Sequence, residues 1–193
     1  MKLRYLVSTF ALALTTVAAH AQIGLYLNPI VSRISNSKAD TGPFAFLGDG
    51  QKSQIFGGVS MGGYYTFTKT SMFDVSLDVR DEIQHGNNAG INSFLLGPRI
   101  QTHPLTFGLR PYGQISIGSG RTHSPLNGAP TTKLEFAGFV GADKALGRHV
   151  DWRVIEIGYG SVTTASSEVH GGGTNIPAAK LLNFSAGLVF RIK

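Results

Sequence analysis

The last fourteen residues, 180–193, constrain the fold more than any other part of the chain. Every second side chain from Leu182 to Ile192 is apolar, whereas the positions between them are mostly small or polar. This two-residue period is typical of a β-strand, because successive side chains of a strand point to opposite faces of the sheet. A strand crosses a bilayer with about 9 to 11 tilted residues. The pattern therefore predicts a strand with one face toward lipid.

The end of this strand resembles the closing strand of bacterial outer-membrane β-barrels, which carries alternating apolar residues and an aromatic residue near the terminus. Leu188, Phe190 and Ile192 occupy the corresponding positions. The resemblance implies that these three residues form a terminal insertion signal. It also implies two partners, the outer-membrane lipid and the machinery that inserts such barrels.

The first 21 residues have the composition of a cleaved secretory signal peptide. Lys2 and Arg4 precede a largely apolar stretch, and the small residues Ala19 and Ala21 match the positions that signal peptidase recognises. We expect cleavage before Gln22, leaving one domain over 22–193. The predicted location of that domain is the bacterial outer membrane of a Gram-negative cell envelope.

Composition excludes several other classes of protein. The chain has no cysteine, so disulfides and thiol chemistry are excluded. Its formal charge of +6 is scattered without a basic run, which argues against a nucleic-acid partner. No segment after the signal approaches about 18 consecutive apolar residues, so several membrane helices are excluded, whereas a barrel is compatible with short alternating segments. The 25 glycines favour tight β packing.

Alternation elsewhere predicts seven further strands, and the fold class is an all-β, eight-stranded antiparallel transmembrane β-barrel with up-and-down meander topology. A bend or bulge is expected near Pro29, and a bulge where alternation is lost between Arg153 and Glu156. The eight predicted strands are 23–33, 53–67, 72–82, 91–101, 109–118, 134–144, 150–161 and 180–193.

The predicted connections alternate between long and short. Long loops are expected at 36–52, 85–90, 119–133 and 162–179, with short links between them. Hairpins of a barrel with long loops outside the cell and tight turns in the periplasm produce this alternation. Both termini would then lie in the periplasm.

Charged residues follow the faces opposite the apolar ones, so a membrane barrel would point them into its lumen. Five acidic and five basic side chains balance there, and we expect them to form a paired network with a structural or gating role. The predicted lumen residues are Asp74, Asp78, Arg80, Glu82, Arg99, Arg110, Glu135, Asp143, Arg153 and Arg191.

Over 22–193 the chain resembles the small eight-stranded outer-membrane barrels of the OmpA-like class. The resemblance rests on the runs 136–143 and 148–154 and on Tyr159. It implies a side-chain-filled, porin-like barrel with an envelope-structural or surface-interaction role, at most a small gated pore, no enzymatic activity and no cofactor. Extracellular partners are not specified by these residues.

Two alternative functions remain open from the residues alone. One is an outer-membrane lipid-modifying enzyme, such as a lipid hydrolase, which needs a His/Ser or carboxylate set at the outer rim. The other is a soluble periplasmic ligand-binding barrel, which would place the same charges on a solvated surface and the apolar residues inside.

Few motifs point to chemistry. Gly58-Val-Ser-Met-Gly62 has the spacing of a nucleophile elbow but lies within an alternating strand, where Ser60 is expected to face inward. The histidines after the signal fall in predicted loops or turns. His123 and His170 could form a metal site across two loops, but solvent-exposed loop histidines are the favoured interpretation. We therefore expect no metal.

Overall fold

The computed structural model describes residues 22–126, 130–165 and 178–192, and these residues form a closed barrel. Each strand pairs antiparallel with the next, and the eighth pairs with the first, so the predicted fold class is confirmed. No helix in the described part of the chain is long and apolar enough to span a bilayer. The predicted signal peptide, 1–21, lies outside the described residues. The strands are β1 (Gln22–Ser35), β2 (Ser53–Lys69), β3 (Phe73–Gly86), β4 (Ala89–Thr102), β5 (Leu109–His123), β6 (Thr131–Ala145), β7 (Val150–Val162) and β8 (Ala179–Ile192).

The wall of the barrel is apolar outside and polar inside. In β1 the burial alternates residue by residue, with Leu25 and Leu27 exposed on the outside and Asn28 and Ser32 fully buried inside. The end of β8 also has its apolar side chain outside and its charged side chain inside, since Phe190 is 49% exposed and Arg191 is buried. The period of two therefore separates an apolar outer surface from a polar core.

Connections join the strands at two ends, which we call the loop end and the turn end. The loop end carries the connections 36–52, 87–88, 124–130 and 163–178, and the turn end carries 70–72, 103–108 and 146–149. The expected alternation of long and short connections is wrong at one place, because β3 and β4 are joined by only two residues. Asn87 and Asn88 have φ of 50° and 57°, the left-handed conformation that a two-residue hairpin requires and that asparagine tolerates. Consequently His85 lies at the end of β3, not in a loop as expected. His123 also lies in a strand, because β5 extends into the expected loop 119–133.

The hairpin conformation gives a testable prediction at Asn88. We expect Asn88→Val to lower the free energy of unfolding by about 1–2 kcal/mol, because a β-branched residue is disfavoured at positive φ. Asn88→Gly, the matched control, should leave stability unchanged or slightly higher. Urea unfolding of the protein refolded in lipid vesicles measures both. A Val variant as stable as the Gly variant would contradict a left-handed residue at this position.

The two irregularities expected from the sequence have different outcomes. A bulge in β7 is confirmed, since the register between β7 and β8 shifts between Arg153 and Glu156. The bulge expected near Pro29 is wrong, because the register of β1 with β2 runs unbroken through Pro29. Pro29 faces outward, and the residues paired between β1 and β8 skip from Leu27 to Ile30, so the missing N–H is accommodated without a bulge.

The connection between β1 and β2 folds back into the loop end of the barrel. Phe46 and Leu47 are fully buried, and the Phe46 ring stacks on Phe56 at a centroid distance of 5.1 Å. The Asp40 carboxylate accepts a hydrogen bond from the Leu47 N–H at 2.9 Å, which holds the segment in place. An apolar cluster therefore fills the lumen at the loop end, and we call it the plug. Its members are Ile34, Phe46, Leu47, Phe56, Ala89, Ile91, Val162, Ala179 and Leu181.

Candidate functional site in the barrel lumen

Nine of the ten charged residues expected in the lumen lie inside the barrel. Most are completely buried, and Arg110 and Arg191 near the turn end are 13% and 9% exposed at their side chains. The nine residues are Asp78, Arg80, Glu82, Arg99, Arg110, Glu135, Asp143, Arg153 and Arg191.

Asp74 is the exception. Its side chain is 25% exposed near the turn end of β3, and its carboxylate lies 3.4 Å from Nε2 of His103. The expectation that Asp74 pairs with a lumen arginine is therefore not met. The reason is position along the strand: Asp74 is the second residue of β3, so the lumen has already opened to solvent at its level.

Glu156 is the centre of the network. Arg80 donates to both of its carboxylate oxygens at 2.7 Å, a bidentate pair that joins β3 to β7 on the opposite side of the barrel. Tyr112 donates at 2.6 Å, Ser185 at 3.1 Å and Arg153 at 3.3 Å. Four side chains from four strands thus converge on one buried carboxylate.

The network continues from Glu156 as a chain of alternating charges. Arg153 donates to Asp143 at 3.1 Å, and Asp143 accepts from Arg99 at 2.7 Å. On the other side, Arg80 lies 3.3 Å from Glu82. Each charge thus has an opposite charge beside it, which offsets the cost of removing it from water.

Two carboxylates of the network, Glu156 and Asp151, were not among the residues expected from the sequence. Asp151 pairs with both Arg110 and Arg191, the second at 2.8 Å, and so closes the turn end. Both acids lie on β7, where the bulge changes which positions face inward: odd-numbered residues before it and even-numbered residues after it. For Glu156 the loss of alternation at 153–156 was the available signal, but it did not specify the new phase. Asp151 lies two residues before Arg153 on the same face, so the period of two was the signal for it.

Aromatic rings fill the space beside the arginines. The Arg80 guanidinium lies 3.8 Å from the Phe139 ring centroid, and that of Arg99 lies 3.6 Å from the Tyr112 centroid. Phe139 faces inward and is 2% exposed. Stacking on aromatic faces holds guanidinium groups without adding charge. The tyrosine hydroxyls join the same network; that of Tyr26 donates to Asp78 at 2.9 Å.

Toward the loop end the network becomes less charged. Glu135 accepts a hydrogen bond from Ser93 at 2.6 Å and has no ion pair among the described residues. Glu82 accepts from Gln84 at 3.2 Å and Asn183 at 3.3 Å. Above this level lies the plug. The lumen is therefore closed twice, by ion pairs in its middle and by apolar side chains at the loop end.

The lumen holds no arrangement typical of catalysis within the described ranges. Ser60 of the elbow-like motif faces inward in the middle of β2, without the helix that a nucleophile elbow requires. No group of three or more His, Asp or Glu side chains in the described part of the chain is placed to hold a metal ion. The described side chains of the lumen form ion pairs and hydrogen bonds with one another and fill the interior of the barrel.

Comparisons with known proteins agree with this architecture. No family model and no curated protein sequence matches the chain. The crystal structure of neisserial surface protein A superposes with a TM-score of 0.58 at 12% identity, covering 87% of this chain and 96% of that one. A second similar structure is the crystal structure of Ail, the attachment invasion locus protein of Yersinia pestis, in complex with the heparin analogue sucrose octasulfate. It superposes with a TM-score of 0.51 at 10% identity, covering 89% of this chain and 99% of that one. The chain therefore has the fold of the small eight-stranded outer-membrane barrels.

Proposed function

We propose that the protein is an integral outer-membrane barrel with a closed lumen and a structural or surface-contact role, and that it is not an enzyme. The observation that carries the proposal is the bidentate pair between Arg80 and Glu156, which crosses the barrel between opposite strands. A side chain from each wall meets in the middle, so no open path remains at that level. The plug closes the loop end as well.

The outer surface supports a membrane location. Large apolar side chains lie exposed on every strand, for example Ile55 at 66%, Ile115 at 74% and Val140 at 60%. Soluble proteins rarely expose a continuous apolar surface of this kind, and a soluble barrel would turn these residues inward. In a bilayer the loop end would face outside the cell, which leaves the loops available for contacts there.

The closing strand supports a role in membrane insertion. Leu188, Phe190 and Ile192 all point outward from β8 and are 41–55% exposed. An insertion machinery that recognises the last strand could therefore contact all three from the lipid side. We propose these residues as the insertion signal, with outer-membrane lipid as the second partner.

Conductance in a planar bilayer tests the closed lumen. We expect the refolded wild-type protein to be silent or to flicker, because the ion pairs and the plug close the lumen in series. Arg80→Ala removes the side chain that crosses the middle, and Phe46→Ala removes the largest inserted side chain of the plug. Because the two closures lie in series, the double variant should conduct more than either single variant.

Matched controls change similar side chains on the outer wall. Arg33 faces outward from β1, and Ile55 is an exposed apolar residue of β2. Arg33→Ala and Ile55→Ala should both remain as silent as the wild type. Heat-modifiable migration on gels reports folding of every variant. A steady large channel in the wild type would refute the closed lumen. So would outer-wall variants that conduct as much as the lumen variants.

A further inference from the structure

Two histidines and two glycines alternate across four strands on the outer wall at the loop end. Gly57 pairs with His85, His85 with Gly90, and Gly90 with His123, so the four residues lie side by side on β2 to β5. The two imidazoles are therefore separated by one strand that has no side chain at that position. Gly90 is buried although it faces outward, because the rings cover it.

Both imidazole rings border the space above Gly90, and the ring atom nearest to an added Cβ would be Cε1 of His123. A Cβ built on Gly90 would lie 2.6 Å from Nε2 of His123 and 3.0 Å from Nδ1 of His85. One nitrogen from each ring thus borders the same small volume.

The separation of the rings is close to that needed for a shared metal ion. Zinc lies about 2.0–2.1 Å from an imidazole nitrogen, which places it roughly 3.2 Å from the ring centroid. Two rings on one tetrahedral ion then have centroids about 5 Å apart. The centroids of His85 and His123 are 6.2 Å apart, with an interplanar angle of 61°. This separation is about 1 Å longer than a tetrahedral ion requires, so binding would need side-chain rotations that bring the two rings together.

The other described histidines have different partners. His103 lies beside Asp74, and Nδ1 of His149 lies 3.2 Å from the backbone oxygen of Arg191, both near the turn end. These two histidines act as natural controls, because each has a polar neighbour but no second imidazole.

We propose that His85 and His123 form a two-histidine site for a divalent transition-metal ion at the extracellular rim of the barrel. Imidazole suits Zn²⁺, Cu²⁺ and Ni²⁺, and solvent would complete the coordination because no third protein ligand is placed there among the described residues. The bound ion would link β3 to β5 across β4. This inference is independent of whether the lumen conducts.

Metal titration of the untagged, refolded full chain tests the site. We expect isothermal titration with ZnCl₂ to show one ion per chain, and His85→Ala or His123→Ala to weaken binding at least about tenfold. His103→Ala and His149→Ala should leave it unchanged. Cu²⁺ electron paramagnetic resonance should show two coordinated nitrogens in the wild type and one in either single variant.

Glycine substitutions test the geometry without removing a ligand. Gly90→Ala should weaken binding, because its methyl group would occupy the space between the two nitrogens. Gly57 pairs with His85 on the other side, and a Cβ added there would meet nothing within 4 Å. The Gly57→Ala variant should therefore bind the metal like the wild type. Gel migration confirms that both variants are folded.

Three results would overturn the site. Zinc binding that survives loss of either histidine places the metal elsewhere. Binding abolished by His170→Ala would instead support a loop site involving that residue, which lies outside the described part of the chain. Equal affinities for Gly90→Ala and Gly57→Ala would exclude the space above Gly90.

Discussion

Glu156→Gln should destabilise the barrel by about 3–5 kcal/mol, which is the typical cost of removing one partner from a buried ion pair. The carboxylate accepts from Arg80, Arg153, Tyr112 and Ser185, and both arginines are completely buried. Glutamine keeps the shape of the side chain but leaves these two guanidinium groups with less opposing charge. Urea unfolding in lipid vesicles, monitored by the single Trp152 and by gel migration, measures the loss.

Glu135→Gln is the matched control for this experiment. It makes the same chemical change at a residue that is 1% exposed, but Glu135 has only the Ser93 hydroxyl as a polar partner in the described structure. Losing a carboxylate that has no cation beside it removes a buried charge, which offsets the weakened hydrogen bond. We expect a change of less than about 1 kcal/mol. Equal losses in the two variants would show that pairing with arginine is not what Glu156 contributes.

Gly97→Ala should prevent efficient refolding. Gly97 faces the lumen from β4, where a Cβ would overlap the carbonyl oxygen of Ile115 on β5 and lie 2.8 Å from Cα of Ser116. The clash is with backbone, so relief requires the paired strands to separate. Overpacking of a core typically costs about 1–3 kcal/mol, and we expect about 3 kcal/mol or more here. The measured quantity is the fraction that refolds in detergent, read from heat-modifiable migration.

The control for Gly97 lies on the neighbouring strand. Gly113 pairs with Ile100 and faces outward from β5, where an added Cβ meets nothing within 4 Å. Gly113→Ala should refold like the wild type, because alanine fits a strand at least as well as glycine. If both alanine variants refold equally, β4 and β5 are farther apart at Gly97 than the structure indicates.

Glycine also explains how tyrosines fit in so narrow a barrel. The ring of Tyr64 lies over Gly24 on the adjacent strand, where any side chain would overlap it. The sequence shows abundant glycine, but not which glycine faces which tyrosine ring. That pairing depends on the register between strands, which is set when the barrel closes.

Strand number, strand phase and inward charges were all predictable from the sequence. Alternation is a local property of a strand, so it can be identified in each segment separately. It failed where the local period broke: at the β7 bulge, which concealed Glu156, and at the β3–β4 hairpin, where left-handed asparagines replace the expected loop. At both places the backbone conformation of a few residues changed the outcome.

Sequence alone therefore determined an eight-stranded barrel with apolar residues outside and charges inside, because a period of two assigns each side chain to a face. Only the tertiary structure decided which of those side chains meet. Arg80 and Glu156 are far apart in the chain and lie on opposite strands, and Phe46 and Leu47 reach the plug from a connection without periodicity. His85 and His123 become neighbours only because Gly90 lies between them. Such contacts depend on strand register and barrel closure, which are properties of the whole chain.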